Sequence, residues 1–377
     1  MLVVIRTASL HAEVDEAYDL AAKVFGPSYP EAVERLTRIR SYEGLEMPSD
    51  VVVARAERKI VGMAHVLPRP VYIDGRQVSA WGIGHVCVHP SYQGYGYGRG
   101  LVLRAIQKIR EHAGVLAIVI ARRKVDGFYP KYGFVGVDAF LEMAVACKSV
   151  TVPLRRRIRY RVNVLTDRLV DYAKAYAETY SNLPFAFCRA AHWWTHLESR
   201  LQAVSPEMEC VNVYLENRWL GYFILHRGVV IEAASDTRHI ESFAQAVVHH
   251  VRRTHGGTVR LALTLLHPCI EYLRNFVHTI NLRFAWNGGH MIRVLDKRKF
   301  LKSWPWCGEG RKSQNVARST KASAARFNVT SHEGARKLVM AAFGMASSHI
   351  DRQRLEYGEG ACGLLGLHPV WSILDEF

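Results

Sequence analysis

Between Val86 and Leu101 the chain reads Val-Cys-Val-His-Pro-Ser-Tyr-Gln-Gly-Tyr-Gly-Tyr-Gly-Arg-Gly-Leu. Gly94, Gly96, Gly98 and Gly100 stand at every second position, and losing side chains in this way lets backbone N–H groups turn toward one point. Ahead of them, Val86 and Val88 alternate with His85, Cys87 and His89 as in a strand, which Pro90 stops because it has no N–H to donate. Beyond them, Leu101, Val102, Ala105, Ile106, Ile109 and Ala113 recur at helical spacing, with Gly114 placed as the cap. Unpaired amides and the positive end of a helix dipole facing one spot make an anion site, so the chemistry expected here is phosphate binding.

The flanking residues narrow the kind of phosphate. A Walker loop ends in Gly-Lys-Ser/Thr, whereas Gly98 is followed by Arg99 and Gly100. A dinucleotide fingerprint spaces its glycines G-x-G-x-x-G and is followed by an acidic strand end, neither of which is present. The stretch Gln93-x-x-Gly96-x-Gly98 resembles the Q/R-x-x-G-x-G/A signature of the GNAT superfamily of N-acetyltransferases. A second stretch, Gly127-Phe128-Tyr129-Pro130-Lys131-Tyr132-Gly133-Phe134, resembles that superfamily's Tyr-x-x-x-Gly-Phe signature.

The resemblance implies a co-substrate, acetyl-CoA, and a set of residues. The backbones of Val86 and Val88, on either side of Cys87, would pair with the pantetheine arm. The amides of Gln93, Gly94, Tyr95, Gly96, Tyr97, Gly98 and Arg99 would hold the pyrophosphate. Tyr129 falls where the family places the acid that protonates the departing thiolate; its aromatic neighbours leave a packing role open. Many relatives carry a glutamate early on the central strand, but here the residues are Trp81, Gly82, Ile83 and Gly84. His85, sharing a strand face with His89, is a candidate base or a packed residue. Cys87 is a candidate nucleophile or a small core residue.

The elements that must position these groups are legible on both sides of the loop. Residues 2–6 read as a strand, Val14 to Phe25 as a helix with a buried stripe ended by Gly26-Pro27, and residues 30–39 as another helix. A hairpin of residues 51–56 and 59–67 turns at Glu57-Arg58, and residues 71–73 form a short strand before Asp74-Gly75. The apolar run Val115 to Ile120 fits a strand covered on both faces.

The hairpin Glu57-Arg58-Lys59-Ile60-Val61-Gly62 finds an echo in Glu216-Asn217-Arg218-Trp219-Leu220-Gly221, followed again by strand, helix and strand. In the echo Ser235-Asp236-Thr237-Arg238-His239 stands in place of the glycine loop, so the second copy should cradle no pyrophosphate. The expected fold class is therefore α/β with mixed sheets, in tandem GNAT-like domains at 1–149 and 150–302, the second degenerate. Residues 303–377 read as a basic linker and a small C-terminal domain. This order resembles the Eis-like acetyltransferases, whose third part resembles a sterol-carrier-protein fold, here shortened. In those enzymes the chain's terminal carboxylate is thought to enter the acceptor cleft, which implies a catalytic role for the carboxylate of Phe377.

The remaining composition sets limits. At 377 residues and 49% hydrophobic content the chain has material for more than one core. The 7 cysteines are scattered without a Cys-x-x-Cys pair and read as reduced. His192 and His196 lie one helical turn apart, but without the glutamate of a zinc helix, so no metal is expected. The short apolar start and the lack of a spanning run point to a cytoplasmic protein with no membrane partner. The formal charge of +16 suits anionic ligands. Its densest run, Arg155 to Val162, alternates Arg157, Arg159 and Arg161 with Ile158, Tyr160 and Val162, as an exposed strand face would, so nucleic acid is not the expected partner. The expected function is direct transfer of an acetyl group to a small-molecule or peptide amine in a ternary complex; a homo-oligomer stays open. The alternative is a non-catalytic acyl-CoA-binding or RNA-associated module.

Overall fold

The structure is a computed structural model that describes residues 3–25, 48–73, 75–121, 127–136, 143–146, 158–162, 169–181, 186–195, 197, 201, 207–256, 258–261, 263, 267–273 and 289–303. The chain divides into two compact units. The first comprises Met1–Pro70, Val78–Gly136 and Asn287–Lys302. Its sheet runs β1 (Val3–Thr7), β2 (Val51–Ala56), β3 (Lys59–Pro68), β6 (Ala80–Val88), β7 (Leu116–Ala121), β16 (Gly289–Val294) and β8 (Val135–Gly136). All neighbours are antiparallel except β6 and β7, which are parallel.

Helices cover the two faces of this sheet. α1 (His11–Phe25) presents Val14, Ala17, Tyr18, Leu20 and Ala21 to Val51, Val53, Met63 and Cys87 on one face. Glu13 ties the start of α1 to the first two strands: its carboxylate takes Arg6 at 2.5 and 3.0 Å and Arg55 at 2.7 Å. The Arg6 guanidinium, helped by hydrogen bonds from Ser9, holds the Glu13 carboxyl far below the usual carboxylate range, so this carboxylate is spent on anchoring the helix. On the other face α2 (Tyr97–Glu111) buries Leu101, Val102, Ala105, Ile106 and Ile109 against Val52, Ala54, Ala64, Val66, Ile83 and Val88. Each buried Leu, Ile or Val among them contributes roughly 1.5–3 kcal/mol of transfer free energy.

The second unit comprises Val71–Gln77, Val137–Trp286 and Ser303–Phe377. Its larger sheet runs β10 (Ile158–Val162), β12 (Met208–Leu215), β13 (Arg218–His226), β14 (Val229–Ser235), β15 (Thr258–Leu261) and β9 (Met143–Ala146). α5 (Ile240–His255) packs Phe243, Ala244, Val247 and Val251 on one face with Phe223, Leu225, Val230 and Val259. α3 (Leu169–Tyr180) packs Tyr172, Tyr176 and Tyr180 on the other with Tyr222, Ile224 and Ala234. β4 (Val71–Ile73) and β5 (Arg76–Val78) make a small sheet with β11 (Ala186–Phe187). The hairpin echo extends to the backbone, since Glu57 and Glu216 both adopt left-handed φ, 52° and 58°.

The two units interleave along the chain and are not two continuous stretches of it. β16 lies in the stretch expected for the second domain, yet it inserts between β7 and β8 of the first sheet. β9 lies in the stretch expected for the first domain, yet it pairs with β15 of the second sheet, Met143 opposite Leu261. Residues 71–77 also belong to the second unit. A strand's own sequence records that it can pair and leaves the partner open, because partner choice is made by backbone groups remote in sequence. The expected helix at 30–39, the linker and the shortened sterol-carrier-like domain at 303–377 fall outside the described residues, save Ser303. No helix among the described residues is long and apolar enough to cross a membrane.

Candidate active site

The site begins where two parallel strands part. β6 pairs with β7 from Ala80 opposite Leu116 to Ile83 opposite Val119, and the pairing stops there. On its other side β6 stays on β3, but with a bulge between Met63 and His65 that His85, at φ 52°, fills in left-handed conformation. One extra residue turns the strand over. Ile83, Val86 and Val88 consequently share the α2 face, while Cys87 lies among the α1 cluster. Among the described residues β6 has no β7 partner beyond Ile83, and a strand edge of that kind can take an extended ligand by backbone pairing.

The glycine loop follows directly. Pro90–Tyr92 forms one 3-10 turn, capped by His89, whose Nδ1 accepts from the Ser91 amide at 3.2 Å. His89 is thus committed to the turn. Gln93 Nε2 donates to the Val88 carbonyl at 2.9 Å, so the Gln93 side chain braces the end of β6 and occupies one of the acceptors expected for the pantetheine arm. Gly94 and Gly96 stand at φ 86° and 82°, and a Cβ on either would meet nothing within 4 Å. The loop is therefore open on its outer side. The first closed turn of α2 is Gly100 N–H to Gly96 C=O at 3.0 Å, so the amides of Tyr97, Gly98 and Arg99 precede the helical ladder and are available to an anion.

The alternation of glycines is read differently in three dimensions. α2 starts at Tyr97, not after Gly100, so Gly98 and Gly100 are helical. Gly100 serves close packing, since a Cβ there would lie 2.2 Å from Ile5 Cδ1, whereas a Cβ on Gly98 would make an ordinary contact with the Phe128 ring at 3.5 Å. Gly114 is likewise not the left-handed cap. Ala113 takes that conformation at φ 54°, and Gly114 is required because a Cβ there would lie 2.4 Å from Ile109 Cγ2.

Tyr129 opens a 3-10 turn, Tyr129–Tyr132, with Pro130 in its first turn. Its ring sits edge-on to Phe128 at 5.1 Å and Phe134 at 5.9 Å, in the cluster that holds Val86, Val88 and Tyr97. Burial pushes the phenol up to about 12, so it keeps its proton at neutral pH. Arg293 on β16 fixes this turn by donating to the Tyr132 carbonyl at 2.6 Å, a contact between residues far apart in sequence that no local pattern signals. Cys87 is buried, and burial, opposed in part by a hydrogen bond with the Met63 backbone, pushes its thiol up to about 12, which withdraws it as a nucleophile and leaves a core residue. His85 is half-buried on the α1 side of β6, its ring 6.0 Å from that of Tyr18 and 6.1 Å from that of His65. Phe377 lies outside the described residues, as do His196 and the side chain of His192. Among the described residues no group of three or more His, Cys, Asp or Glu could hold a metal ion.

The second unit repeats this geometry and then fills it. β14 pairs with β15 only at Val229 and Val230 and then departs from it. Ser235, opposite Gly221, occupies the place Val88 has opposite Gly62, and a 3-10 turn capped by Asp236 follows as it does at His89. Here the freed strand edge is satisfied internally. The Ala233 amide donates to Tyr180 Oη at 3.2 Å, and His267 Nε2 donates to the Ala233 carbonyl at 2.7 Å. Thr179 Oγ1 accepts from the Ser235 amide at 3.2 Å and donates to the Ser235 carbonyl at 3.3 Å. Three residues before Ser235, in the place of His85, Glu232 is buried against Arg189 at 2.6 and 2.8 Å and takes the Tyr222 hydroxyl at 2.7 Å.

Comparison with known proteins agrees with this geometry. Residues 4–136 match the family model described as the acetyltransferase (GNAT) domain. Among solved structures, a GCN5-related N-acetyltransferase from Kribbella flavida is similar at TM-score 0.63 and 15% identity, over 80% of this chain and 74% of that one. A probable N-acyltransferase from Enterococcus faecalis V583 is similar at 0.61 and 16%, over 81% and 76%. Eis1 from Mycobacterium abscessus is similar at 0.59 and 15%, over 80% and 76%. At these identities the likeness is one of fold, and it spans both units.

Proposed function

We propose, from the premise that residues 4–136 are a GNAT acetyltransferase domain, that this chain moves the acetyl group of acetyl-CoA to a primary amine by direct attack in a ternary complex. The observation that carries the reading is the parting of β6 from β7 after Ile83, immediately ahead of the open loop at Gly94 and Gly96. One end of that gap offers amides to a pyrophosphate, from Gly94 to Arg99. The strand edge at Val86 offers backbone groups to the amides of a pantetheine arm. A strand rises about 3.3 Å per residue, so His85 lies roughly 10 Å back from the end of β6 at Val88, toward the thioester end of a ligand so held.

In this reading the residues divide the proton work. Tyr129, holding its proton, donates a hydrogen bond and then the proton to the thiolate that builds as the thioester breaks. His85 takes the proton the attacking nitrogen must lose. Cys87 takes no covalent part, which favours direct transfer over an acetyl-enzyme. The test is release of free coenzyme A from acetyl-CoA with a panel of aminoglycosides, polyamines and lysine peptides, with the acetylated amine identified by mass. Coenzyme A binding without transfer to any amine would leave the chain an acyl-CoA-binding module.

A further inference from the structure

On the α1 side of the first sheet, two polar rings lie inside an apolar cluster. His65 is 1% and Tyr18 is 4% exposed, among Ala17, Leu20, Ala21, Met63 and Cys87. The Tyr18 hydroxyl and His65 Nδ1 share a hydrogen bond at 2.9 Å. Burying such groups costs free energy that hydrogen bonding offsets only in part, so two apolar residues of the same shape would serve packing better. The pair also has a neighbour. The His85 ring stacks on His65 with planes 30° apart and lies obliquely to Tyr18, so the three rings form one cluster whose half-exposed member is His85.

The backbone supplies a second, independent observation. The left-handed residue in the β6 bulge is His85, at φ 52°, although Gly84 precedes it and Gly82 is near. Left-handed backbone costs a residue with a Cβ roughly 1–2 kcal/mol more than glycine. The strain is kept where it swings an imidazole onto His65 and Tyr18, at the point where β6 leaves β7.

We propose that Tyr18 and His65 are positioning residues: together they hold the His85 imidazole in the orientation that takes the acceptor amine's proton. This rests on the acetyltransferase reading of the first unit. His85 is the group that touches the substrate; Tyr18 and His65 act through it. The attacking nitrogen's electron pair forms the N–C bond while its proton passes to His85, and the thiolate leaves with the proton of Tyr129.

Tyr18→Phe removes one hydroxyl and keeps the ring. In the full-length chain it should lower kcat about tenfold, the worth of one hydrogen bond, with KM for acetyl-CoA unchanged. His65→Asn, which can still meet the Tyr18 hydroxyl, should retain more activity than His65→Ala. On a His85→Gln background, Tyr18→Phe should cost nothing further. An equal loss in both backgrounds, or an unchanged kcat in Tyr18→Phe, overturns the proposal. A second measurement needs no turnover: in protein labelled at histidine Cε1, the His85 signal, assigned by its loss in His85→Gln, should shift in Tyr18→Phe. An unmoved signal overturns the positioning role even where transfer is observed, and a shifted one supports it even where the amine panel fails, so the two readings fail separately.

Discussion

The amide of Ala233 donates to the hydroxyl of Tyr180 at 3.2 Å, and this contact satisfies in the second unit the strand edge that corresponds to Val86 in the first. His267 and Thr179 complete the closure from two other elements. In the second unit the parted strand is thus satisfied by the protein's own side chains.

Binding stoichiometry follows from that closure. Calorimetric titration of the full chain with coenzyme A should give one site per chain, at the loop of Gly94 to Arg99. Two equivalent sites would mean that Tyr180, Thr179 and His267 yield to the ligand and that the closure has no functional weight.

Gly96→Val tests the loop. A Cβ at position 96 has room, so the cost is the left-handed backbone at φ 82° together with methyl groups facing the anion. Coenzyme A affinity should fall by about 100-fold or more, on the order of 3 kcal/mol, with the circular dichroism spectrum of the folded chain retained. Unchanged affinity would remove the loop from the site.

Tyr129→Phe keeps the edge-on rings and removes the proton. Because the acid step is worth about 100-fold or more, kcat should fall by that order while coenzyme A affinity holds. With the parent phenol at about 12, Tyr129 stays protonated through pH 10, so its ionisation should produce no alkaline loss below that pH. Equal kcat in mutant and parent would leave Tyr129 a packing residue.

Stability in acid should be set in the second unit. Burial depresses His267 and His250 to about 4, from an ordinary value near 6.5. Both are therefore neutral in the folded chain, where the unfolded chain binds protons more readily. Their contribution is present above pH 6.5 and is lost as pH falls from 6.5 through 4, by on the order of a few kcal/mol in total. His267 has a local reason as well, since protonating Nδ1 breaks its bond from the Cys269 amide at 3.2 Å. The midpoint of thermal unfolding, followed between pH 7 and 4, should drop across this window, and less steeply in His250→Gln. A flat profile would contradict the buried neutral state of both rings.

The local features of this fold are legible in the sequence. The period-two and helical patterns around Val86 and Leu101 located β6 and α2, and the glycines located the loop between them, because these signals act within a few residues. The hairpin echo at Glu216 revealed the repeat for the same reason. Tertiary structure decided what depends on residues far apart in the chain. It assigned β16 to the first sheet and β9 to the second, since strand partners are chosen by distant backbone groups. It decided that Gly100 serves contact with Ile5, that Gln93 braces Val88, and that Cys87 is too deeply buried to react. It also brought Tyr18, His65 and His85 together across α1, β3 and β6, a cluster formed by a one-residue bulge that turns the strand face and leaves no periodic trace in the sequence.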